Sequence, residues 1–280
     1  MSSTRHTYDY VVDTASQTAP ANVIRMVGQH KRVLEIGCGP GSITKLLAQQ
    51  GQCRVTGLEL DPDAIKLVEP YCDAVMQADL NAADWPQLLD STERFDVVVA
   101  ADVLEHLYDP WTTLKRMVPL MSPEGYLVIS LPHVGHAAIA GCLMTGDFDY
   151  RDWGLLDRTH IRFFGLKNME DLFAQAELKI VEARFVTKPP EDTEFAPAWS
   201  RLSSQVKSAL SSSPHAHVYQ VVIKAVPLSG PGEPVSLIPP APVDQLLPSV
   251  SSVKSRIAAR LSPQAKLRIR KIFGLFRVRM

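Results

Sequence analysis

VLEIGCGPGSITKLLAQQG, Val33 to Gly51, is the stretch whose reading decides the fold. A short apolar run, Val33 to Ile36, breaks at Gly37, Gly39 and Gly41, and apolar residues then return at Ile43, Leu46 and Leu47 with helical spacing. Strand, glycine-rich turn and helix in that order open an α/β nucleotide-type site. Glycines belong there because the backbone must turn sharply and let a ligand approach without a Cβ in the way. A dinucleotide turn would carry Gly three residues after Gly39, where Ser42 stands, and a phosphate-binding loop would carry Gly-Lys-Ser/Thr, which is missing. What remains is E-x-G-x-G-x-G, with Glu35 on the strand just before the turn. A carboxylate at that point suits a ligand with positive charge better than one carrying phosphates.

Outward from this motif, the chain of 280 residues is long enough for a substantial core, with 46% hydrophobic and 21% charged residues. The net charge of −1 is unevenly spread. Nine of the 29 Lys and Arg residues fall from Lys254 onward, where there is no acid, leaving 20 bases against 30 acids in the body. Cys38, Cys53, Cys72 and Cys142 form no C-x-x-C pair and read as reduced thiols of a cytoplasmic protein. No apolar leader and no membrane-length apolar run is present, so the expectation is a soluble protein, at most peripheral on the inner face of a membrane.

The rest of the body alternates strand and helix. Residues 1–30 form a lead-in, with a short helix over Asn22–Val27 that serves as lid or as packing. Arg54–Leu60 is a second strand ending in Glu59, followed by an Asp61 cap and Pro62 at the first turn of a helix. Glu59 lies 18 residues beyond Gly41, where a strand-end acid can accept both hydroxyls of a ribose. Asp73–Gln77 is a third strand; after it Asp79 can accept from an adenine amino group while the Leu80 amide donates to a ring nitrogen. Phe95–Ala100 and Gly125–Leu131 are the fourth and fifth strands, with a helix from Pro110 to about Leu120 between them. Such alternation implies parallel strands, right-handed crossovers and a ligand beyond the carboxyl ends of the strands. Glu35 and Gly37, Glu59, Asp79 and Ala101 all fall at those ends.

The runs VLEIGCGPG, VTGLELDP, QADL and FDVVVAADVLEHL together resemble the class I S-adenosylmethionine-dependent methyltransferases. The resemblance covers residues 31–226 and implies a doubly wound, mostly parallel, seven-stranded Rossmann-like α/β sheet, its last strand antiparallel and inserted beside the fifth. Lys179–Thr187 and Val218–Val226 are the candidates for strands six and seven, with a helix Trp199–Leu210 between them. It further implies S-adenosyl-L-methionine as cofactor. Glu35, Gly37, Cys38, Gly39 and Gly41 then approach its methionine part, Glu59 and Leu60 its ribose, and Asp79 and Leu80 its adenine; Ala101 and His106 complete the pocket.

Residues 132–165, PHVGHAAIAGCLMTGDFDYRDWGLLDRTHIRFFG, are too long for an ordinary connection and lie just past strand five, where the family places its acceptor. Their L-D-x-T-H-x-R-F-F pattern is similar to that of methyltransferases of surface-polysaccharide and glycoside pathways, and of ubiquinone-biosynthesis methyltransferases. A hydroxyl acceptor must lose its proton, and a positioned base contributes about 10²–10⁴-fold. His160 is the first candidate base, with Asp157 to orient it, and His133 the second; His160 also reads as a buried residue bonding the loop backbone. Arg158 and Arg162 either bind an acidic substrate group or pair with Asp149, Asp152 or Asp157. His133 and His136 would need a carboxylate to hold a metal, and no spacing fixes that third ligand, so no metal is assigned.

Residues 227–245 are proline-rich and read as a linker. In 246–280, Val250–Ala259 and Gln264–Phe276 are expected to form basic amphipathic helices, suited to an anionic membrane surface or a protein partner. The tail has no aromatic platform for nucleic acid. The function expected is methyl transfer to a hydroxyl of a small molecule, a sugar or lipid-linked glycan intermediate first and a phenol or quinone second. The alternative is a non-catalytic cofactor-binding protein recruited through the tail.

Overall fold

The computed structural model describes residues 9–238 apart from 91, 147 and 149. The two tail helices expected over 250–259 and 264–276, and Asp149, lie outside the described residues. The described residues up to Leu237 form one compact unit. Among the described residues no helix is long and apolar enough to cross a membrane.

Seven strands make one sheet in the order β3-β2-β1-β4-β5-β7-β6. They are β1 (Arg32–Ile36), β2 (Arg54–Glu59), β3 (Ala74–Gln77), β4 (Phe95–Ala101), β5 (Met121–Pro132), β6 (Leu178–Thr187) and β7 (Val218–Pro227). The first five run parallel, and β7 lies antiparallel to both β5 and β6. This is the sheet that the resemblance implies. The helices are α1 (Ala19–Val27), α2 (Thr44–Gln49), α3 (Pro62–Val68), α4 (Pro110–Met117), α5 (Ala137–Met144), α6 (Leu166–Gln175), α7 (Ala196–Ser200) and α8 (Ser204–Leu210).

Because alternate strand residues point to opposite faces, the sheet has two cores. Val33, Val55, Val97, Val99 and Val128 pack with Val23 and Val27 of α1 and Leu47 of α2. Leu34, Ile36, Leu58, Val98 and Ile129 pack with Leu114 and Met117 of α4 and Met169, Leu172 and Phe173 of α6. Truncating one of these fully buried leucines to Ala costs about 2–5 kcal/mol.

Three details depart from the sequence expectations. The single helix Trp199–Leu210 is two, α7 and α8, because the Ser203 side chain accepts from the Val206 amide and starts a new helix. Strand β5 begins earlier, at Met121, which pairs with Phe95 across a register shift. Residues 132–165 contain α5, which His136 caps by accepting from the Ala138 amide.

Candidate functional site

Two clefts meet beyond the carboxyl ends of the parallel strands. The first, of about 590 Å³, lies over β1, β2 and β4. Its floor is the glycine turn, where Gly37 (φ +66°) and Gly39 (φ +53°) take the left-handed backbone that favours glycine. A Cβ on Gly37 would stand 2.7 Å from Val103 Cγ2, whereas one on Gly39 would meet nothing within 4 Å and project into open space. The Gly37 and Cys38 amides donate to the Leu58 carbonyl at 2.8 and 3.2 Å, holding the turn against β2.

Every expected cofactor residue except Gly41 lines this first cleft, namely Glu35, Gly37, Cys38, Gly39, Glu59, Leu60, Asp79, Leu80, Ala101 and His106. Gly41 instead packs against α3, where a Cβ would stand 2.9 Å from Val68 Cγ2. Glu59 accepts from the Gly39 amide at 2.7 Å and from the Leu60 and Asp61 amides at 2.8 and 3.0 Å, which ties the turn to the end of β2. Glu35 is fully buried; burial raises its carboxyl to about 7, against the opposing effect of the bond it accepts from Thr44 Oγ1 at 2.7 Å.

The second cleft, of about 600 Å³, adjoins the first and shares Tyr10, Asp102 and His106 with it. Its other walls include Glu105, Trp153, Asp157, His160, Lys188 and Tyr219. Here the short turn after β4, Leu104–His106, meets the loop that follows α5. The Ile161 and Arg162 amides both donate to the Glu105 carbonyl, at 2.9 and 3.0 Å, and so bring His160 against that turn. His160 Nδ1 lies 3.3 Å from the Leu155 carbonyl and therefore carries the proton, leaving Nε2 bare, 3.9 Å from Glu105 Oε1. His106 Nδ1 sits 3.2 Å from the Thr159 carbonyl and 3.1 Å from Thr159 Oγ1, whose own proton goes to Asp157 at 2.7 Å. His106 Nδ1 is therefore a donor too. Burial lowers the pKa of both imidazoles, so both are neutral near pH 7. Burial, and then the charge of Asp102, raise the Glu105 carboxyl well above its ordinary range.

The same loop is pinned from the far side. Glu194 accepts from the Leu155 amide at 2.7 Å and from the Tyr219 hydroxyl at 3.0 Å. Lys188 Nζ stands 5.0 Å from the centre of the Tyr219 ring and 5.9 Å from that of Trp153.

The remaining sequence candidates fall elsewhere. His133 lines neither cleft; its Nδ1 faces the Val218 carbonyl at 3.1 Å. His136 uses both nitrogens, accepting from the Ala138 amide and donating to the Lys188 carbonyl, and burial takes its pKa down to about 4. The pair is therefore poorly placed to hold a metal. Arg158 pairs with Asp152 at an exposed position, and Arg162 bonds the Tyr108 carbonyl and covers Trp111. Asp157 lines the second cleft but does not orient His160 as expected: it accepts from Thr159, and the Leu155 carbonyl orients His160 instead.

Tyr10, Asp102, Glu105, Trp153, Lys188, Tyr219 and Gln220 are cleft residues that sequence reasoning did not single out. One signal was available for Glu105. A Glu-His pair directly follows a strand end, where a side chain of either residue falls beside the ligand.

The family described as "Methyltransferase domain" matches residues 12–183. A ubiquinone biosynthesis O-methyltransferase of Coxiella burnetii is 29% identical over 176 residues, which cover 53% of this chain and 74% of that protein. One of Azorhizobium caulinodans is 35% identical over 100 residues, and there the chain spans only 39% of the relative's length. In fold, the chain is similar to a SAM-dependent methyltransferase from Archaeoglobus fulgidus (TM-score 0.50, 18% identity, 74% of this chain and 91% of that one). It is also similar to a possible histamine N-methyltransferase from Thermotoga maritima (TM-score 0.50, 16% identity, 75% and 88%). The donor set of the first cleft fits the adenosyl-sulfonium cofactor of such proteins. It offers a Cβ-free cradle at Gly39, acids at two strand ends and a buried carboxylate beneath the turn.

Proposed function

The chain belongs to the class I S-adenosylmethionine-dependent methyltransferases, and we propose that within that family it methylates a hydroxyl of a small molecule, a sugar hydroxyl before a phenol. The observation that carries this reading is the second cleft, which opens onto the cofactor cleft at Asp102 and His106 and has the bare Nε2 of His160 in its wall.

S-adenosylmethionine supplies a methyl group already activated on a sulfonium. The chain's own task is then alignment, where the gain from orientation is largest, and relief of the acceptor's proton. In this reading Glu59 takes the ribose hydroxyls, Asp79 with the Leu80 amide takes the adenine edge, and Glu35 faces the cationic end. His160 receives the acceptor's proton, a contribution of about 10²–10⁴-fold.

A sugar is favoured because the cleft sets the flat apolar faces of Trp153 and Tyr219 among hydrogen-bonding groups on Asp102, Asp157, Lys188 and Gln220. Rings bearing several hydroxyls match both features. The names of the Coxiella and Azorhizobium relatives support a phenol or quinone precursor as the second reading.

Labelled cofactor incubated with a panel of sugars, nucleotide sugars, catechols and phenols tests both. Transfer to a sugar hydroxyl supports the first reading and transfer to a phenol the second; cofactor binding with no transfer to any acceptor refutes both. His160→Ala should lower turnover by about 10²-fold or more while cofactor affinity holds.

A further inference from the structure

We propose that Glu105, His106 and His160 form a binding site for one divalent transition-metal ion in the wall of the acceptor cleft. One potential ligand atom from each of the three lies within 4.8 Å of the other two. Glu105 is 0% exposed, and among the described residues neither of its carboxylate oxygens has a hydrogen-bond partner. A buried carboxyl left without any partner bears its full desolvation cost. Native folds keep such a group where something else satisfies it. Arg158 and Arg162, two cations of the neighbouring loop, do not serve: one pairs with Asp152 and the other turns to Tyr108 and Trp111.

The imidazoles add a second, independent observation. Each has its Nδ1 against a main-chain carbonyl, Leu155 for His160 and Thr159 for His106. That outer hydrogen bond is the one metal-bound histidines make to fix ring orientation and ligand basicity. The Thr159 hydroxyl and Asp157 extend the support one shell further. Two nitrogens and one carboxylate suit Mn²⁺, Co²⁺ or Zn²⁺ better than Mg²⁺ or Ca²⁺, which prefer all-oxygen sets. Three protein ligands on the wall of an open cleft leave coordination positions for an acceptor oxygen. This last point rests on the methyltransferase reading: the ion would bind the acceptor hydroxyl and favour loss of its proton to solvent. His160 would then be a ligand, and the ion would take the place of the base.

The test uses the full chain, stripped with a chelator and titrated with Co²⁺, Mn²⁺, Zn²⁺ and Mg²⁺ by calorimetry, with the visible absorption of bound Co²⁺ as a spectroscopic readout. One equivalent of a transition ion should bind, more tightly than Mg²⁺, and bring up Co²⁺ bands. Loss of an outer-shell partner typically weakens metal binding 10–100-fold. Glu105→Gln and His160→Ala, which remove ligands, should therefore weaken it by more than about 100-fold and abolish the bands. Cofactor affinity, measured on the same preparations, checks that both variants are folded. Failure of the wild-type chain to bind any of the transition ions overturns the site, as does binding that Glu105→Gln and His160→Ala leave unchanged. If cofactor binds and metal does not, the metal site alone falls; if the stripped chain binds no cofactor, the methyltransferase reading falls with it.

Discussion

Glu35→Gln probes the carboxylate beneath the glycine turn. The substitution keeps size and shape, and the amide oxygen can still accept from Thr44 Oγ1, so the packing around β1 is preserved. What changes is the charge. In the folded wild type, burial lifts the carboxyl from its ordinary 4.5 to about 7. A folded pKa above the unfolded one means that the native state holds its proton longer. Below pH 4.5 both states are protonated and the group contributes nothing. Between pH 4.5 and 7 the unfolded chain ionises first, and wild-type stability falls by ~1.4 kcal/mol per pH unit. Above pH 7 both states are ionised and the loss levels off at about 3 kcal/mol. Urea melts of the cofactor-free wild type and variant at pH 4.5, 5.5, 6.5 and 8 should therefore diverge progressively, with the variant about 3 kcal/mol more stable at pH 8. Groups such as Glu105 titrate in both proteins and cancel in the difference. Cofactor binding should move the other way. The wild type should gain affinity from pH 6 to 8 as Glu35 ionises toward a cationic ligand, and the variant should bind more weakly with little pH dependence over that range. Parallel stability curves for the two proteins would refute the burial argument.

Three further outcomes are expected. Glu59→Ala removes a carboxylate that accepts from the Gly39 amide of the turn and from the Leu60 and Asp61 amides after β2, and that faces the cleft; calorimetry should show cofactor binding weaker by roughly 1–3 kcal/mol. Gly37→Ala forces a Cβ to 2.7 Å from Val103 Cγ2 at a backbone φ of +66°, and thermal melts should register a loss of about 1–3 kcal/mol. Trp153→Ala should raise the acceptor KM several-fold and leave cofactor affinity unchanged, because Trp153 lines only the second cleft.

The lining of the first cleft was legible in the sequence because most of its residues sit at fixed offsets from strand ends. Glycine spacing located the turn, and the strand-end acids Glu59 and Asp79 followed from the register of successive βα units. The second cleft had no such rule. Its walls come from Tyr10, the turn after β4, the loop after α5, Lys188 beyond β6, and β7, segments that only the tertiary fold brings together. The aromatic and acidic content of residues 132–165 announced a pocket, and His160 and Asp157 do line it. His133 and His136 belong to the same stretch, yet they bond main chain, His133 at Val218 of β7 and His136 at Lys188 and at Ala138 of α5. No one-dimensional pattern separates a histidine that caps a helix from one that faces a cleft. The break between α7 and α8 was readable in principle, since Ser203 is a good N-cap, but a continuous apolar period hid it.

β7, inserted antiparallel between β5 and β6, buttresses the corner where the two clefts meet. Asp102, at the end of β4, holds a left-handed backbone (φ +55°) that a non-glycine residue adopts only when its surroundings enforce it. Here Ser130 of β5 donates to its carboxylate at 2.6 Å, and Gln220 of β7 donates at 2.8 Å. The neighbouring residue on β7, Tyr219, reaches Glu194 and through it the Leu155 amide. Because β7 runs antiparallel it begins at this end of the sheet, and its first residues, Tyr219 and Gln220, serve the loop and Asp102; a parallel strand would end there and present its last residues instead. The inserted strand thus fixes the strained corner shared by the two clefts and the loop that carries His160. In the proposed reading those are the two places where methyl donor and acceptor are brought into line.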